Sequence, residues 1–138
     1  MRAFFDADAL MAWWSVSHSV TTPRMLGPYV IEWPPTDFRD EVLGRMGGVF
    51  RGTVMQCEAG QGFFVADAFW LPPDGDPIGP MALEVTVAAA HDQRGQPAAE
   101  VRVHQSGCDD SLRWQRYYEV IGIGWERALG AMKSLLER

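Results

Sequence analysis

The last fifth of the chain constrains the fold more than any other stretch. Residues 111–137, SLRWQRYYEVIGIGWERALGAMKSLLE, place Trp114, Tyr118, Ile121, Trp125, Leu129, Met132 and Leu136 three or four positions apart. That spacing predicts the apolar stripe of one long helix lying on another layer. At roughly 1.5 Å per residue such a helix is about 40 Å long, enough to cross a sheet. Gly122 and Gly124 interrupt it, at a cost of roughly 1 kcal/mol each relative to alanine. Glycines kept at that cost point to close approach or to open space beside the helix.

The segments before it read as strands. Tyr29, Ile31 and Trp33 alternate onto one face before Pro34-Pro35 ends the run. Residues 48–58 and 63–71 follow as two strands joined through Ala59-Gly60-Gln61-Gly62, and PPDGDP stops the second. Met81, Leu83, Val85 and Val87 share a face, with Glu84 and Thr86 opposite. After the turn Arg94-Gly95-Gln96-Pro97, Val101 and Val103 point inward while Glu100, Arg102 and His104 point out. Asp6 or Asp8 caps a short helix through about Trp14, with Leu10, Trp13 and Trp14 on its inner side. Residues 15–27 read as a turn-rich connection, and 36–45 as a short helix or structured loop. About five antiparallel strands and then one long helix predict an α+β fold, the helix laid on one face of a curved antiparallel sheet. There are no internal repeats.

At 138 residues the chain fits one domain, 1–138, large enough to bury a single core. A formal charge of −6 without a Lys/Arg cluster argues against nucleic-acid binding. No apolar run is long enough for a membrane span. The N-terminus lacks the basic and apolar regions of a signal peptide, so a cytoplasmic location is expected. Cys57 and Cys108 fit no zinc or redox spacing and are expected as reduced thiols.

Chemistry-bearing motifs are sparse. His18, His91 and His104 fall at no metal-ligand spacing, and no metal or cofactor is expected. No nucleophile elbow, P-loop or dinucleotide fingerprint occurs, and no catalytic residues are assigned. Gly122-Ile123-Gly124 lies inside a helix and should not cradle phosphate. Asp67 is the carboxylate of most interest. In 63–70, FFVADAFW, the face holding Phe64, Ala66, Ala68 and Trp70 is fully apolar and reads as the inner one. Asp67 then faces solvent, and Phe63, Val65 and Phe69 form a partly exposed patch suited to a dimer contact. The alternative puts Asp67 in a cavity, where burial would raise its pKa and make it an acid–base candidate. Tyr117 and Tyr118 lie about 100° apart on the helix; Tyr118 joins the stripe and Tyr117 its margin. Six tryptophans, at 13, 14, 33, 70, 114 and 125, are the strongest compositional signal, suited either to fill a core or to line a cavity.

Two segments carry a family resemblance. YYEVIGIGWERALGAMKSLLE at 117–137, above all Gly124-Trp125, Ala128-Leu129 and Leu135-Leu136, resembles the C-terminal helix of the SRPBCC (START-like, helix-grip) superfamily. Within it, the similarity is greatest to the branch named after the activator of the ninety-kilodalton heat-shock-protein ATPase. FFDADALMAWW at 4–14 is similar to that branch's early helix closing on a tryptophan pair. The resemblance implies a helix-grip fold in which the usual first strand is missing, leaving two sheet edges open to pairing. It also implies a binding protein for an apolar or amphipathic small molecule, held beneath the long helix by Trp14, Tyr29, Trp33, Trp70, Tyr118, Ile121, Trp125 and Leu129. It implies two other readings as well: an interaction module related to chaperone ATPase activators, or a cyclase- or hydrolase-like enzyme using a cavity carboxylate, for which Asp67 is the candidate. Open edges together with the outward apolar residues predict a homodimer.

Overall fold

In the computed structural model, which describes residues 2–107 and 109–137, a single 3-10 turn at Arg2–Phe4 leads into α1 (Ala7–Trp14). Asp6 is the N-cap: its carboxylate accepts from the Ala9 N–H at 3.0 Å, satisfying a helix-start donor that has no partner within the helix. No strand precedes α1 among the described residues.

The strands run β1 (His18–Thr21), β2 (Pro28–Trp33), β3 (Arg39–Asp40), β4 (Gly44–Arg45), β5 (Gly48–Glu58), β6 (Gly62–Leu71), β7 (Ile78–His91) and β8 (Pro97–Ser106). All but β3 and β4 join one antiparallel sheet in the order β1-β2-β5-β6-β7-β8. The sheet is curled, and α2 (Leu112–Leu136) lies against it in a helix-grip-like arrangement. At roughly 1.5 Å per residue α2 runs about 37 Å. Ser111 caps it, accepting from the Trp114 N–H at 3.2 Å. β1 and β8 are the two edges.

Two connections differ from the sequence reading. The stretch 15–27 contains β1, which pairs with β2 from His18↔Glu32 to Thr21↔Tyr29. Its alternation is short and half-exposed, so hydrophobic pattern alone does not mark it as a strand. The 36–45 segment, expected as a short helix or a structured loop, forms a two-stranded hairpin, β3 with β4. It is a flap between β2 and β5 whose root is pinned where Trp33 pairs with Gly48.

The β6 strand departs from simple alternation. Phe63 and Val65 are buried, and so are Ala68 and Trp70. The inner face therefore switches parity between 65 and 68, because a β-bulge sits there: the register to β7 shifts between Val65 and Ala68, and Asp67 has φ 53°. An extra residue in the left-handed region bends the strand and re-aims the side chains beyond it. Gly52 on β5 makes room for it. A Cβ at Gly52 would lie 2.6 Å from Val65 Cγ1 and 3.0 Å from Ala68 Cβ. The expected outward patch of Phe63, Val65 and Phe69 is thus corrected, with Phe63 and Val65 in the core and only Phe69 half-buried outside it.

The buried line of α2 is also rotated from the predicted stripe. Trp114, Tyr117, Ala128 and Met132 are buried, Tyr118 and Leu129 are half-buried, and Leu136 is exposed. The buried Ala128 has no bulk, so counting only large apolar side chains misplaces the inward line. Cys57 is a half-buried free thiol whose pKa is raised by burial; Cys108 lies outside the described residues.

Candidate functional site

Helix and sheet do not pack evenly along their length. At one end the N-terminal turn packs its rings onto the sheet. Phe4, Phe5, Tyr29 and Phe63 form an aromatic cluster with ring centroids 4.8–5.4 Å apart. Tyr29 is fully buried there and donates its hydroxyl to the Phe4 carbonyl at 3.0 Å. Burial in that setting pushes its pKa far up.

Beside this cluster a cavity of about 510 Å³ opens beneath α2, within the range of small-molecule sites. α1 and the end of β2 contribute Trp14, Ser15, Trp33 and Pro34, and the flap contributes Thr36, Met46 and Gly47. The sheet floor is Phe50, Trp70, Leu83 and Gln105, and α2 supplies Tyr117, Val120, Ile121, Gly124, Trp125 and Arg127. At neither Gly122 nor Gly124 would a Cβ meet an atom within 4 Å beyond its neighbours and the helix's own backbone. Of the two explanations that the sequence offers for these glycines, open space is the one realised.

The tryptophans are held by their N–H groups, which leaves ring surface for the cavity. Trp33 donates to the Trp14 carbonyl at 3.0 Å, Trp70 to the Gly47 carbonyl at 2.9 Å, and Trp125 to Gln105 Oε1 at 2.9 Å. Gly47 takes φ 107°, and a Cβ there would sit 2.5 Å from the Pro34 carbonyl oxygen, so glycine permits the close approach of the two ends of the flap. The rings also brace each other. Trp14 lies 5.1 Å from Trp33 and 4.7 Å from Trp125, and Trp70 stacks on Tyr117 at 5.4 Å. Aromatic pairs of this kind contribute about 0.5–1.5 kcal/mol beyond area burial.

One buried charge fixes the flap to the helix. The Asp40 side chain is 3% exposed, and its Oδ1 accepts from Arg116 Nε at 2.8 Å and Nη2 at 2.6 Å. Its Oδ2 accepts the Val42 and Leu43 N–H groups, each at 3.0 Å. The Arg116 hydrogen bonds, with the Leu43 and Val42 N–H groups, hold the Asp40 pKa down to about 2.

Five of the eight residues expected at a ligand site, Trp14, Trp33, Trp70, Ile121 and Trp125, line this cavity. Three do not. Tyr29 belongs to the aromatic cluster, Tyr118 donates its hydroxyl to the Gly107 carbonyl, and Leu129 packs half-buried against the core. Sequence reasoning missed Tyr117 and Gln105. The latter was accessible, because Val101 and Val103 point inward and the same alternation carried two residues further reaches Gln105. Asp67 is exposed on the bulge and does not line the cavity. Among the described residues the lining contains no Asp, Glu or His, so the hydrolase-like reading finds no cavity carboxylate. No cluster of His, Cys, Asp and Glu suited to a metal occurs among the described residues, and no helix there is long and apolar enough to cross a membrane.

Compared with protein-family models, curated proteins and solved structures, the chain matches none.

Proposed function

We propose that this chain binds a small, flat, apolar molecule in the cavity beneath α2, as a helix-grip protein of SRPBCC type. The observation that carries the reading is the cavity wall. Four of the six tryptophans line it, and three of these have their N–H groups satisfied within the protein. Rings braced in this way resist collapsing inward, and they offer apolar surface to an occupant. The family resemblance at 4–14 and 117–137 supports the same reading.

Charge narrows the ligand. An aromatic cage can also take a cation through its ring faces. Here the one ionic lining group among the described residues is Arg127, which makes no ion pair among them. A neutral or anionic occupant is therefore favoured. A two-ring ligand burying roughly 200–250 Å², comparable to a large aromatic side chain, gains about 5–6 kcal/mol at roughly 25 cal/mol per Å².

The test is a titration with 2-isopropenylnaphthalene, read by two-dimensional proton–nitrogen NMR, in which each indole N–H reports separately. The Trp33, Trp70 and Trp125 indole signals should shift together and saturate, with Trp114 unmoved. A Gly124→Leu variant should lose the response. Saturable shifts that persist unchanged in the variant, or none in the native chain, would overturn the reading.

A further inference from the structure

Within the cavity wall, one hydrogen-bond chain has a direction. An indole N–H is a donor only, so the group it meets must be an acceptor. Trp125 donates to Gln105 at 2.9 Å, which fixes the oxygen of that amide toward Trp125. The Gln105 nitrogen is thereby turned the other way, where it lies 3.0 Å from the Tyr117 hydroxyl and 3.0 Å from Met81 Sδ. An amide N–H2 only donates, so the Tyr117 oxygen is the acceptor. Its own O–H hydrogen must then be given to something else. No protein acceptor is paired to it among the described residues.

The position of that hydrogen matters because Tyr117 is 4% exposed and its side chain, like those of Gln105 and Trp125, lines the cavity. The ring is clamped by stacking on Trp70, with centroids 5.4 Å apart, so the hydroxyl cannot swing away to find a partner. A donor that is buried, fixed and unspent gains from an acceptor brought in by a ligand. Burial also raises the Tyr117 pKa, keeping the proton on the oxygen across the ordinary pH range.

We infer that Tyr117 is a specificity-determining residue: it donates a hydrogen bond to an oxygen acceptor, a carbonyl or an ether, on an otherwise apolar ligand, with Gln105 and Trp125 setting the direction of the donor. The inference rests on the proposed cavity binding and adds to it the polar group that the occupant carries.

Two isosteric probes separate the claims. 2-Acetylnaphthalene has a carbonyl where 2-isopropenylnaphthalene has a methylene group. The native chain should bind the ketone about five- to tenfold more tightly, the ratio expected of one net hydrogen bond. Tyr117→Phe should abolish that ratio while the hydrocarbon still binds saturably, which a loss of folding could not do. Gln105→Leu, which leaves the Trp125 N–H unpaired, should reduce the ratio. Equal binding of both probes to the native chain overturns the inference and leaves the cavity reading standing. A preference that survives Tyr117→Phe also overturns it, because the donor is then another group. Binding of neither probe overturns both.

Discussion

Replacing Gly124 with alanine should stabilise this protein, although the position lines the cavity beneath its longest helix. Inward helix positions are normally crowded, and an added methyl there costs stability through strain. At Gly124 the Cβ would meet nothing within 4 Å. Only the backbone gain then remains, about 0.8–1 kcal/mol for glycine to alanine in a helix interior. With an unfolding entropy of roughly 2.1 cal/mol/K per residue, that raises the melting temperature of a chain this size by about 3 °C. Gly122→Ala, also in open space, should give a similar rise. The two part company when the side chain is enlarged. Gly124→Leu projects into the cavity, so it should hold the stability gain and block the naphthalene probes. Gly122→Leu should leave probe binding unchanged, because Gly122 does not line the cavity. Differential scanning calorimetry and the NMR titration supply the readouts. A fall in melting temperature for Gly124→Ala would mean that the space beside the helix is filled, and the reasoning would fail with it.

Three further outcomes test the supporting structure. Asp40→Asn should lower stability at neutral pH by about 1–2.5 kcal/mol, the upper figure resting on a folded pKa near 2 against an ordinary 3.8 and the lower on solvent screening at the partly exposed Arg116. Because the folded pKa is depressed, this contribution is fully present above about pH 4 and is lost as pH falls toward 2; denaturant melts of the two proteins should converge there, and a constant gap down to pH 2 would contradict the assignment. Gly52→Ala should cost about 1–3 kcal/mol through overpacking against Val65 and Ala68, and a neutral result in urea unfolding would mean that the bulge does not crowd this site. Asp67→Gly, which suits φ 53°, should be neutral or stabilising, whereas Asp67→Val should destabilise by about 1–2 kcal/mol; the reverse order would show that the left-handed residue is misplaced.

The architecture was legible wherever side-chain period was uninterrupted. β2, β7 and β8 alternate cleanly, and Tyr29, Ile31, Met81, Leu83 and Val85 are buried as their period requires. β6 misled because a bulge changes parity without a sequence mark as plain as glycine; Asp67 takes the left-handed conformation instead, which aspartate tolerates better than most residues. The helix misled for a different reason. Its inward line passes through Tyr117 and Ala128, and residues without bulk are invisible to a count of large apolar side chains. At Gly124, which lines the cavity, the missing side chain leaves the space open. The flap was beyond reach because its placement depends on Asp40 meeting Arg116, 76 residues away, a contact no local pattern encodes.

A crystal structure grown with 2-acetylnaphthalene tests the central claim most directly. The account predicts the two rings between Trp33, Trp70 and Trp125, with the ketone oxygen at hydrogen-bond distance from the Tyr117 hydroxyl. A cavity closed by the tryptophans themselves, with the probe absent or bound elsewhere, would contradict it.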